Sequence, residues 1–244
     1  MSIREDIHSS LSDRGALRAG LLGTVVLAAA LLAMWPHGSL VAAVRAGQAS
    51  DTFTVVAVCF LLVLLYLGSR FGAEDFSPGA AAQFSEYVTL TPVSLAALVG
   101  GRLLLGLLHT MILLLLGAPL MIASMAVGGA GPAQALAALA MIGAAGLAAR
   151  MAGLLVLSLV GTRRPLRDMT LFLLVSALAA ATFFLTPAVS PFRVIGSLAR
   201  NPGDPAWLAC TAASLGAAAA FAAAALGALA GLRARANRRR AGGA

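Results

Sequence analysis

Two ionisable side chains fall inside long apolar runs of this 244-residue sequence, His109 and Arg150. An arginine held in hydrocarbon must be satisfied by backbone carbonyls, by snorkelling toward the headgroups or by an anionic ligand. His109 lies seven residues after Arg102, roughly 10 Å along a helix at 1.5 Å per residue. Arg150 lies thirteen residues before Arg163 on a run that returns to the same side, so the two depths are similar. Two readings follow. Arg150 is accommodated structurally, or it faces an internal cavity and attracts an anionic group of a substrate. In the second reading Arg150 and His109 are the candidate pathway residues.

Other chemistries find no residues to carry them. Ion-driven carriers usually keep Asp, Glu or His in the membrane core. The nine acids here are Glu5, Asp6, Asp13, Asp51, Glu74, Asp75, Glu86, Asp168 and Asp204, all outside or at the edge of an apolar run. A carboxylate relay is therefore not expected. A phosphate-binding loop of the GxxxxGK[ST] type needs a lysine, and all 17 basic residues of this chain are arginine. If ATP drives the protein, another chain hydrolyses it. No serine stands in a GxSxG elbow, so His109 is not read as a catalytic base. Cys59 and Cys210 lie in apolar runs and read as packing residues, because structural zinc needs about four close ligands. No catalytic residue, metal site or cofactor is expected in this chain.

The elements that would position His109 and Arg150 follow from composition. The chain is 60% hydrophobic and 11% charged. Apolar runs cover residues 17–35, 52–69, 98–127, 133–161, 169–187 and 206–232. Each is long enough to cross about 30 Å of hydrocarbon as a helix, and lipid leaves the backbone little alternative. The predicted fold is therefore all-α, a polytopic membrane protein with six transmembrane helices. Arginine placement orients it. One side receives Arg4, Arg14, Arg18, Arg70, Arg102, Arg163, Arg164, Arg167 and the run from Arg233 to Arg240; the other receives Arg45, Arg193 and Arg200. Both termini are expected in the cytoplasm. Trp35 and Trp207 then fall at the outer interface, and Arg102 anchors the inner end of the third span.

The pieces between spans are short. Residues 1–15 place Ile3, Ile7 and Leu11 on one helical face, with Ser2 and Glu5 at capping-box spacing. They read as an amphipathic helix on the inner surface rather than as a cleaved leader. The membrane domain is expected over 16–232. It includes a cytoplasmic elbow at 70–97 and an outer re-entrant or interfacial segment at 187–205. In that outer segment four prolines bracket FRVIGSLAR, with Phe192, Ile195 and Leu198 on one face. Residues 233–244 read as a basic tail whose arginines attract anionic lipids by about 1 kcal/mol each, with no need of nucleic acid. Gly227 and Gly231 form a GxxxG that suits a close helix contact. Pro119 is expected to bend the third span.

The stretch EYVTLTPVSLAALVGGR, residues 86–102, carries a resemblance. It is similar to a consensus, GTLExLLLTPxSxxExxxGK, found in membrane subunits of ABC exporters of the type-2 permease class. Glu86 matches the acid, Thr91, Pro92 and Ser94 match TPxS, and Gly101 and Arg102 match the closing pair. Gln83 and Phe84 stand where Gly-Thr is usual, and Ala97 where an acid is common. The resemblance implies two permease subunits, identical or different, each docking one cytosolic ATPase that binds the ATP. It makes the elbow before Thr91 a coupling helix, with Phe84, Glu86, Tyr87, Thr91, Pro92 and Ser94 as the ATPase-coupling residues. Residues 80–90 can form such a helix, with Phe84, Tyr87 and Val88 on one face, either as an exposed partner surface or packed on the protein's own inner surface. Proline disfavours helix before itself and suits the first turn of the next, and Thr91 is expected to cap that next helix.

The leading expectation is a non-enzymatic permease of a bacterial inner membrane. It would export an amphipathic or hydrophobic substrate such as a lipid, glycolipid, drug-like or haem-like molecule. A haem-export permease of cytochrome c maturation belongs to the same class, but the basic tail and the proline-bracketed outer helix fit it less well. A membrane scaffold or anchor without transport is the alternative from a different class.

Overall fold

In a computed structural model, residues 14–35, 48–73, 80–128, 130–161, 163–201 and 203–242 are described. Every regular element among them is helical. The expected N-terminal surface helix, Arg45, and residues 74–79 of the elbow lie outside the described residues. The helices are α1 (Arg14–Ala33), α2 (Gln48–Gly72), α3 (Ala80–Leu90), α4 (Leu95–Gly128), α5 (Pro132–Val160), α6 (Arg164–Leu185), α7 (Pro191–Arg200) and α8 (Ala206–Gly242). A 3₁₀ turn, Pro187–Val189, joins α6 to α7.

Among the described residues, five helices are long and apolar enough to cross a membrane: Asp51–Gly72, Leu95–Gly128, Pro132–Val160, Arg164–Phe184 and Ala206–Arg238. The chain is a membrane protein on that ground. The first expected span is helical too, but its apolar stretch, Arg18–Ala33, is shorter than the others. Helices α4 and α8 run beyond the apolar runs read from the sequence. α4 continues through Pro119. α8 continues through the arginines to Gly242, so the described part of the basic segment is helix rather than a separate tail.

Helix α5 is the axis of the bundle. In its most apolar stretch 83% of residues are buried, against 11% in α6. An apolar helix without a polar face belongs inside, and α5 packs against α2, α4, α6, α7 and α8. α6 is peripheral and turns Phe172, Leu173 and Phe184 outward.

The tightest contact is between α2 and α5. A Cβ on Gly72 would lie 1.9 Å from the Arg150 carbonyl oxygen, and one on Gly153 would lie 2.2 Å from that of Ser69. The two backbones touch, which only glycine permits. The GxxxG that makes this contact is Gly68–Gly72. For the pair singled out from the sequence, Gly227 and Gly231, a methyl group added at either position would meet nothing within 4 Å. Both motifs have the same spacing, and the partner surface decides between them.

Two ends can be told apart. At one, α7 closes the bundle with Val194, Ile195 and Leu198 buried. Gln134 at the start of α5 donates from Nε2 to the Leu198 carbonyl at 2.6 Å and accepts from the Gly131 amide at 2.5 Å. Cys210 is fully buried nearby and its thiol donates to Val189. Cys59 is half-buried, and both cysteines are free thiols. At the other end, Arg70 on α2 pairs with Asp168 on α6. That pair is partly exposed, 19% and 38%, so Asp168→Asn is expected to lower stability by less than about 1 kcal/mol, read from denaturant unfolding in micelles.

Candidate functional site

The Arg150 site is built by the α2–α5 contact. With its backbone against Gly72, Arg150 projects its side chain toward α4. Gly106 leaves room for the stem: a Cβ there would lie 2.8 Å from Arg150 Cδ. The guanidinium donates from Nη1 to His109 Nδ1 at 3.1 Å. Arginine has no acceptor, so that ring nitrogen accepts and the ring proton resides on Nε2. The guanidinium carbon also lies 5.5 Å from the centre of the Phe71 ring. Phe71 and His109 stack, with centroids 5.0 Å apart and planes 13° apart. Arg150 is 4% exposed and His109 is 8% exposed.

His109 and Arg150 are thus in direct contact, held with Phe71 where α2, α4 and α5 meet. Phe71 was not singled out in the sequence. Its position beside Gly72, in the GxxxG that makes the contact, is the only signal that could have found it. A delocalised cation near an aromatic face, with a neutral imidazole as acceptor, is a favourable arrangement for buried charge. The site lies level with the end of α2, while α5 continues about 15 Å beyond it, ten residues from Arg150 to Val160.

Helix α3 fills the volume that α2 leaves. Phe84 and Val88, one turn apart, are 6% and 1% exposed. They join an apolar cluster with Met151, Leu154 and Leu157 of α5 and Leu229 of α8. Arg102, in the second turn of α4, lies 5.1 Å from the Phe84 ring centre. Of the two readings of this face, the exposed partner surface is corrected for Phe84 and Val88, which pack on the protein's own surface. They are the apolar stripe of α3, and α5 and α8 offer that stripe a seat worth roughly 1.5–3 kcal/mol per side chain taken from water. Tyr87 is half-buried, and the outward residues are Gln83, Glu86 and Leu90. Leu90 is 63% exposed.

The break between α3 and α4 is also built differently from the expectation. Thr91 donates its amide and its hydroxyl back to the Tyr87 carbonyl, so it closes α3 and does not cap α4. The α4 amide of Ala97 points to Ser94 Oγ at 3.5 Å, which makes Ser94 the capping residue. Pro92 is exposed in the connection, three residues before α4 begins. The reason lies in α8. Arg233 donates from Nε to Val88 O at 3.0 Å, from Nη1 to Val93 O at 2.8 Å and from Nη2 to Thr91 O at 3.3 Å. The carbonyls of Thr91 and Val93 are drawn to this fork, and the segment between them stays out of helix. Arg233 was read from the sequence only as part of a basic run.

The site therefore has two parts, a buried Arg150–His109–Phe71 cluster and a surface elbow held by Arg102 and Arg233. No family model, no curated protein and no solved structure matches the chain.

Proposed function

We propose that the chain is the membrane subunit of an ATP-driven exporter of the type-2 ABC permease class. In this reading it has six spans, both termini in the cytoplasm of a bacterial cell, and a separate cytosolic chain that binds and hydrolyses ATP. A second permease subunit, identical or different, completes the pathway. The substrate is amphipathic or hydrophobic.

The observation that carries the reading is the elbow. A short helix interrupts the chain between two long apolar helices, at the end of the bundle where the Arg70, Arg102, Arg164 and Arg233 positions gather. Its inner face is fastened to α5 and α8, and Glu86 and Leu90 face outward. A part that receives force from a partner needs both properties, a firm seat and a free face. The resemblance over residues 86–102 names the same segment. Within the bundle, Arg150 and His109 are proposed to border the substrate path on α4 and α5, with Arg150 as the fixed cation that orients an anionic group.

Affinity purification of the full chain from its own membranes tests the reading. Recovery of an ATP-binding chain is expected. The double variant Glu86→Arg with Leu90→Arg alters only the outward face and is expected to reduce that recovery at least tenfold while the permease itself still purifies. Recovery of no nucleotide-binding chain would overturn the proposal in favour of a membrane scaffold.

A further inference from the structure

The carbonyls gathered by Arg233 belong to three successive parts of the elbow: the last turn of α3 at Val88, the break at Thr91, and Val93 just before the α4 cap. We propose that Arg233 is a positioning residue that binds the elbow and the C-terminal half of α8 into one mechanical unit. Its consequence for coupling rests on the permease reading above; the latch itself rests on geometry.

Three features point to it. First, this side chain takes the carbonyl that Pro92, four residues on, cannot reach with an amide. The last carbonyls of a helix have no partners within it. In α3 the Tyr87 carbonyl is taken by Thr91 and the Val88 carbonyl by Arg233. Pro92 brings no amide to the break, and Arg233 supplies donors for the carbonyls on both sides of it. A cation is also favoured at the negative end of a helix. Second, the guanidinium is a rigid planar fork, and three donors pointing in three directions is a geometry that a lysine ammonium on a flexible stem does not reproduce. Third, the apolar seat beside it sets no direction. A cavity of about 150 Å³ lies between α3, α5 and α8, lined by Phe84, Val88, Leu157, Leu229 and Leu232 among others. Apolar contact has no direction of its own. Leu229, one turn before Arg233, gives α8 its apolar contact with α3; Arg233 supplies the directional one.

Amide hydrogen exchange on the full chain in lipid nanodiscs tests this without any partner, so failure of the permease reading leaves the measurement intact. In Arg233→Met the Thr91 amide is expected to exchange at least tenfold faster, with α5 amides at wild-type rates. In Arg233→Lys, which keeps the charge but not the fork, a rise of about two- to threefold is expected at the same amide. An unchanged Thr91 rate in Arg233→Met would overturn the proposal. So would an equal rise along α5, which would mean a general loss of packing. If Arg233→Met yields no folded protein, Arg233→Lys decides: a rise confined to residues 87–94 supports the latch, and no rise or a uniform one overturns it.

Discussion

A single methyl group at Gly72 is expected to unseat α2 from α5. In Gly72→Ala the new Cβ would lie 1.9 Å from the Arg150 carbonyl oxygen and 2.9 Å from its carbon. Both are backbone atoms, so no rotamer change relieves the clash and the helices must separate. Overpacking in a well-filled core typically costs 1–3 kcal/mol and occasionally more. Here the contact is between two backbones, and the expected loss is about 3 kcal/mol or more. Denaturant unfolding in micelles reads it. The separation would also move Phe71 away from Arg150, so the buried cluster should loosen with the helices. Gly227→Ala and Gly231→Ala are the controls. Each opens onto empty space within the chain, and each is expected to change stability by less than about 0.5 kcal/mol. Equal losses at Gly72 and Gly227 would refute the assignment of the close contact.

The second large effect is expected at His109. Replacing His109 with Leu removes the acceptor at 3.1 Å from Arg150 and the ring stacked on Phe71, while the buried cation stays. Removing the neutral acceptor of a hydrogen bond from a buried charged group costs about 1.5–3 kcal/mol, whereas replacing both partners by apolar groups of similar shape can be nearly neutral. The double variant His109→Leu with Arg150→Met is therefore expected to be more stable than His109→Leu alone. A double-mutant cycle should return a coupling of about 1.5 kcal/mol or more. Additive losses would mean that the two side chains act independently. The cycle also bears on function. If Arg150 guides an anionic group, Arg150→Met should slow transport even in the double variant, where stability is restored. Wild-type flux there would leave the cluster a purely structural role.

How far the sequence could be read depended on how local the physics was. Apolar helices are demanded by lipid, and length set out the five span-length ones, but it also counted the first run, whose apolar helix Arg18–Ala33 is shorter, and it stopped α8 at residue 232 because the arginines read as its end. The Thr91-Pro92 break was legible because proline acts on its own neighbours. Counting residues from Arg102 and Arg163 put His109 and Arg150 at similar depth, since rise per residue is a property of the helix alone. What could not be read was what each surface faces. Phe84 and Val88 form an apolar stripe that suits a partner or the protein's own core equally well, and only the shape of α5 and α8 decides. Gly68–Gly72 and Gly227–Gly231 have identical spacing. Arg233 is about 140 residues from the carbonyls it holds, and it stands in a run of arginines that look alike from composition.

Helix α8 is 37 residues long, about 56 Å at 1.5 Å per residue, and contains no proline. The hydrocarbon layer is about 30 Å thick. In the permease reading, a rod that much longer than the layer would work as a lever, with its fulcrum where α5 and α8 pack. Tilting it by about 10° about its middle would carry each end through about 5 Å. The same arithmetic runs in reverse: a push of several ångströms at the arginine-bearing end would turn the α8 residues deep in the bundle only slightly, trading distance for force.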